Sequence, residues 1–203
     1  MRKLGTAPLV LGGALALFIV LTWVYVGGTF VIIVFLPTVV AFVAWLRTTY
    51  PHPIRSERVV VVYLFAIVVQ FIHLSEEFLN RFWDYYNTMF SPPIPWDERF
   101  FTALFIIAFP LLFILGAIGL LTRNPFGNYI VWWFALGPNM ANFVAHLVFP
   151  FLYGGYVPGL WTAPLHGAMS LLLLRTLVVH HRENLRAARQ QDPGRVVRTI
   201  AEA

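Results

Sequence analysis

Residues 59–84 read VVVVYLFAIVVQFIHLSEEFLNRFWD. The opening run, Val59 to Val69, has the apolar character of the first half of a membrane-spanning helix. His73, Glu76 and Glu77 then follow, with Arg81 and Asp84 just beyond. Helical positions three and four residues apart share a face, so His73 carries both glutamates beside it, one turn further along. Ionisable groups at membrane depth are costly and persist mainly where they line an interior site. The spacing therefore predicts a third span from Val59 to about Arg81 that carries the core of a functional site.

The composition agrees with a membrane setting. The 203 residues are 59% hydrophobic and only 11% charged, with mean hydropathy +0.74, whereas a soluble domain carries about 25% charged residues. There is no cysteine, which removes disulfides, thiolate metal sites and cysteine nucleophiles together. The net charge of +5 comes mostly from short loops and the tail beside apolar runs. Such placement orients a chain and meets anionic lipid, and it gives no support to a nucleic-acid partner.

Six apolar runs of the ~17–25 residues needed to cross a bilayer can be read along the chain. Met1-Arg2-Lys3 precedes a first run, Pro8 to Val26, whose Ala14–Ala16 element lies in mid-run, so an uncleaved span is expected. Gly27-Gly28 separates it from Thr29 to Leu46, which contains Pro37. The basic loop 47–58, with His52 between two prolines, leads into the third span. Phe101 to Thr122, Tyr129 to Tyr153 and Thr162 to Val179 are the fourth to sixth. The expected fold is all-α: a polytopic transmembrane helix bundle of about six spans. It forms a single transmembrane domain over residues 1–182, followed by a basic tail over 183–203 that is helical to about Gln191.

Arginine and lysine fall almost wholly on one side of this arrangement. Arg2, Lys3, Arg47, Arg55, Arg58, Arg123 and the tail arginines share it, while only Arg81 and Arg99 lie opposite. A cell (inner) membrane location with both termini cytoplasmic is therefore expected. At 1.5 Å rise per residue, His73 lies about 21 Å from the cytoplasmic edge of a ~30 Å core. Asn142 in the fifth span falls at about 20 Å and His146 at about 26 Å, with His166 of the sixth at about 23 Å. Glu76 and Glu77 fall at about 26–27 Å. Three helices thus bring their rare polar residues into one layer, in the outer half of the membrane.

Each residue also has an ordinary reading. Glu77 and Arg81 could neutralise one another at i,i+4, Asn139 and Asn142 could be interhelical glue, and a lone histidine could be a packing residue. Their common depth is what favours a shared site. Asn139, Asn142 and His146 are spaced to share one helical face. Gln70, one turn before His73, is placed as a supporting partner, whereas Arg175 lies near the cytoplasmic end and is expected to snorkel.

His73-Leu-Ser-Glu76-Glu77, then Asn142-Phe-Val-Ala-His146, then His166 resemble, in that order, the elements of the HXXEE family of small, mostly prokaryotic membrane proteins. The resemblance spans Gln70 to about Val179 and implies an enzyme without specifying its substrate. A more distant similarity, in spacing and layout alone, is to sterol isomerases of the emopamil-binding-protein type, which place a histidine and a carboxylate four residues apart in a membrane cavity.

Three functions compete for these residues. In the first, His73, His146 and His166 hold one divalent metal, zinc or iron, with Glu77 or Glu76 as fourth ligand or general base, Glu77 favoured by its i+4 position, and Asn142 orienting a ligand within the catalytic set. The substrate would be a lipid-like small molecule drawn from the surrounding membrane lipid. In the second, the same groups act without metal as an acid–base isomerase or cyclase on an isoprenoid or sterol-like lipid, with Trp132, Trp133 and Trp161 available to stabilise positive charge. The third is a small transporter or proton relay, disfavoured because the inner halves of the spans carry little polarity.

Overall fold

The computed structural model describes residues 6–26 and 28–191. Arg2 and Lys3, and tail residues 192–203, lie outside the described residues, so the part of the charge pattern that rests on them has no structural counterpart here. Among the described residues the fold is all-helical. In chain order the elements are α1 (Thr6–Val26), α2 (Gly28–Arg47), α3 (Glu57–Leu79), α4 (Phe82–Phe90), α5 (Glu98–Leu121), α6 (Pro125–Tyr153) and α7 (Ala163–Gln191).

Five of these, within α1, α3, α5, α6 and α7, are long and apolar enough to cross a membrane, and Val34–Arg47 of α2 forms a shorter apolar helix. That arrangement answers to the expected bundle of about six spans. The boundaries differ locally. The third helix stops at Leu79, because Arg81 adopts a left-handed conformation (φ 55°) and starts the separate helix α4. Arg81 bonds Asp84 at 2.7 Å rather than Glu77. The last helix continues from the expected sixth span into the tail without a break at 182.

α3 has the polarity pattern of a helix long and apolar enough to cross a membrane. Its buried face carries Tyr63, Gln70, His73 and Glu77, while its exposed face carries Val61, Leu64, Phe65, Val68, Phe71 and Ile72. Polar side chains point inward and large apolar ones outward, the reverse of a water-soluble helix. α6 is the central element, packing against α2, α4, α5 and α7, while α3 packs against α5 and α7. α5 and α6 cross at Gly119 and Gly127. A Cβ built on either residue would come within 2.4 Å of the other's Cα, a close backbone approach that only small residues permit.

Two helices are widened by π-helical turns, at Thr102–Ala108 in α5 and Ala135–Ala141 in α6. The second has a readable cause. Pro138 has no backbone N–H, so the Phe134 carbonyl four residues earlier loses its helical donor. Asn139 Nδ2 donates to that carbonyl at 3.0 Å. Two further carbonyls in the turn take donors from α7: Ser170 Oγ donates to Ala135 O at 2.8 Å, and His166 Nδ1 meets Pro138 O at 3.1 Å. The proline in α6 thus fixes where α7 docks.

Candidate metal centre

His73, Glu77 and His146 meet in the bundle interior, where both histidines are wholly buried and Glu77 nearly so. His73 and Glu77 come from successive turns of α3, and His146 from α6. Glu77 Oε1 lies 3.3 Å from His73 Nε2 and 3.0 Å from His146 Nε2. One ligand atom from each of the three residues lies within 4.8 Å of the others, making this a group that could hold a metal ion.

Glu76, the neighbouring carboxylate, points elsewhere. Tyr156 Oη donates to its Oε1 at 2.7 Å, and the Trp161 backbone N–H does so at 3.3 Å. Thr162 donates twice to Oε2, from its hydroxyl at 2.7 Å and its backbone N–H at 3.0 Å. An ionised carboxylate has about four lone-pair positions, so this one is filled by the α6–α7 loop. Burial first, then the bond to Glu76, raises the Tyr156 phenol above its usual value, which keeps it a donor.

The Thr162 hydroxyl links Glu76 to the cluster. His73 Nδ1 lies 2.7 Å from Thr162 Oγ1. The hydroxyl has one proton, and the charged Glu76 oxygen at 2.7 Å is a better acceptor than Gly159 O at 3.4 Å. Thr162 Oγ1 therefore accepts from His73, which places the proton on His73 Nδ1 and leaves Nε2 with a free lone pair. Asn142 Nδ2 donates to that nitrogen at 2.8 Å. An outer carboxylate acting through a partner to fix the ring of a ligand histidine is a recurrent feature of metal sites.

The loop also shapes the space. Gly159 sits at φ 94°, and a Cβ there would come within 2.4 Å of His146 Cε1 and 2.8 Å of His73 Cε1. Only glycine combines that backbone angle with so close an approach to both rings. Beside the cluster lies a cavity of about 90 Å³, lined by Glu77, Asn142 and Gln70 together with Phe82, Trp133, Phe149 and other apolar groups.

Of the residues singled out in the sequence, His73, Glu77, His146 and Asn142 are brought into direct contact. His166 lies against His73, with ring centroids 4.2 Å apart. It is not a member of the convergent group among the described residues, and its Nε2 is buried without a partner. Glu76 is joined to the site through Thr162, and Gln70 lines the cavity. Asn139 is turned away onto the Phe134 carbonyl. Trp132 is a core residue donating to Thr49, and Trp161 is 76% exposed; Trp133 alone of the three lines the cavity. The sequence reading missed Tyr156, Gly159 and Thr162, whose stretch (GGYVPGLWT) looks like an ordinary uncharged turn.

A family model described as a protein of unknown function with HXXEE motif matches residues 63–174. No curated protein and no solved structure matches the chain. The family match covers more than half of the 203 residues and contains His73, Glu76, Glu77, Asn142, His146 and His166. On that match, the chain belongs to the HXXEE-motif family.

Proposed function

We propose that this protein is a membrane-embedded enzyme in which one divalent metal, zinc or iron, is held by His73, Glu77 and His146 and acts on a lipid-like substrate. The observation that carries the reading is the spacing of the three ligand atoms. Bonds of ~2.0–2.1 Å to nitrogen and oxygen place neighbouring tetrahedral ligands about 3.3 Å apart. The two Glu77 separations of 3.0 and 3.3 Å are of that order, and the three ligand atoms all lie within 4.8 Å of one another. When bound, the ion would supply Lewis-acid polarisation of a substrate oxygen.

The chain's own groups then have separable roles. Glu76 and Thr162 hold the His73 proton on Nδ1, so Nε2 presents a lone pair that the Asn142 amide caps here and would have to release for the ring to coordinate. His146 has to release the proton from Nε2, or carry it on Nδ1, before its ring can coordinate. Asn142 lines the cavity beside Glu77 and can orient a polar group of the substrate. The aromatic walls keep water from that group.

A metal-free acid–base reading is also supported by one observation. The His146–Glu77 contact of 3.0 Å and the Asn142–His73 contact of 2.8 Å satisfy both inward-facing imidazole nitrogens with no ion between them. In that reading Glu77 and His146 exchange a proton with an apolar substrate. The test is turnover in nanodiscs loaded with a native lipid extract, followed by mass spectrometry for wild type and His146→Ala. Consumption of a lipid by wild type alone, stopped by a chelator and restored by zinc or iron, is the expected result. Turnover indifferent to chelator would replace the metal with the acid–base mechanism, and no lipid change dependent on wild type would end the enzyme reading.

A further inference from the structure

We infer that the cavity beside the His/Glu cluster binds a hydrocarbon lipid bearing a hydroxyl, with the hydroxyl held by Gln70. The inference rests on the cavity being the substrate chamber of the proposed enzyme. Gln70 is 6% exposed, and its Oε1 is buried with no hydrogen-bond partner. A buried amide left unpaired in a membrane interior is unfavourable, so such a group marks a place where a partner is supplied. Gln70, Leu74 and Glu77 share one face of α3 and all line the cavity, which puts Gln70 two turns, about 10 Å, from Glu77.

Apart from Asn142, the rest of the lining is mostly apolar and largely aromatic, including Phe82, Phe105, Phe109, Trp133 and Phe149. A lipid hydroxyl can pair with the amide while the first carbons of its chain cover the apolar walls and the remainder extends through the mouth into the bilayer. A hydroxyl both donates and accepts, so it satisfies the Gln70 amide in either of its two orientations. The way in is also legible. Phe105, Phe109, Gly137 and Pro138 are only half-buried, and all four lie on helices long and apolar enough to cross a membrane. The mouth therefore opens towards hydrocarbon, and entry is lateral, from the bilayer. Both π-helical turns border it, a placement frequent at functional sites.

Photolabelling in nanodiscs tests this without requiring activity or metal. The probes are a diazirine-bearing hexadecanol and the alkane of the same length and diazirine position, applied to metal-loaded and chelator-treated protein. Labelled peptides are mapped by mass spectrometry, with thermal stability recorded for each variant. In wild type the alcohol is expected to label the cavity segments of α3, α5 and α6 about tenfold more than the alkane does, as loss of a buried hydrogen bond implies. Gln70→Leu should reduce alcohol labelling to the alkane level while leaving the melting temperature and metal content unchanged. Equal labelling by alcohol and alkane in wild type, or alcohol labelling unaffected by Gln70→Leu, would overturn the inference. Loss of metal or turnover alone would bear on the proposed reaction and leave the labelling result standing.

Discussion

A single proton, on His73 Nδ1, decides what the other nitrogen of that ring can do. Thr162 accepts it and passes the constraint to Glu76. Thr162→Val should therefore weaken zinc binding by about 10- to 100-fold, the range for loss of an orienting partner, whereas Thr162→Ser keeps affinity close to wild type. Competition with a chromogenic chelator measures both, and equal affinities for the two variants would remove the relay. This part of the site was only half legible in the sequence. His73, Glu76, Glu77, Asn142 and His146 stand out because polar groups are rare in apolar spans, and their common depth draws attention to them. Thr162 does not stand out, since a threonine in an uncharged turn is unremarkable until Gly159 folds the loop back. His166 is expected as a ligand from its depth and from the three-histidine ligand set of catalytic zinc. Its Nδ1 meets the Pro138 carbonyl, and among the described residues its Nε2 stays unpaired outside the group formed by His73, Glu77 and His146.

At the scale of elements, two glycine contacts hold the arrangement together. Gly159→Ala would force a methyl group against His146 and His73 at a backbone angle that disfavours a side chain, costing about 1–3 kcal/mol. A lowered melting temperature in detergent together with weakened metal binding is the expected signature. Gly127→Ala should separate α5 from α6 and lower the melting temperature by several degrees, since its Cβ would meet backbone on the facing helix. Gly13→Ala, where a Cβ meets nothing within 4 Å, should leave the melting temperature unchanged. If Gly127→Ala behaved like Gly13→Ala, the close crossing would be wrong. The helices themselves were legible from apolar run length, but their internal wide turns were not. A regular 3.6-residue period puts Asn139 on the face of Asn142 and His146, and the π turn around Pro138 directs Asn139 to a freed carbonyl instead. The break at Arg81 was hidden for a similar reason, because a left-handed residue at a helix end is usually signalled by glycine or asparagine.

At the scale of the molecule, the polar residues His73, Glu77, His146 and His166 are buried while many large apolar side chains of the same membrane-length helices are exposed. The arginine pattern predicts both termini on the cytoplasmic side, which would put the loops holding Ser56 and Ser91 on opposite faces of the membrane. The chain has no native cysteine, so Ser56→Cys and Ser91→Cys can be labelled singly with an impermeant maleimide on intact cells. Labelling of the Ser91 variant alone is expected, and labelling of the Ser56 variant alone would invert the orientation. The proposed centre implies one ion per chain, and its stoichiometry is the most direct test. Elemental analysis of protein purified without chelator, before and after offering zinc or iron, is predicted to give close to one ion per chain. That ion should be lost in His73→Ala, His146→Ala and Glu77→Ala and retained in His166→Ala. Folded wild type that takes up no ion when one is offered, or full metal content in His146→Ala, would contradict the account.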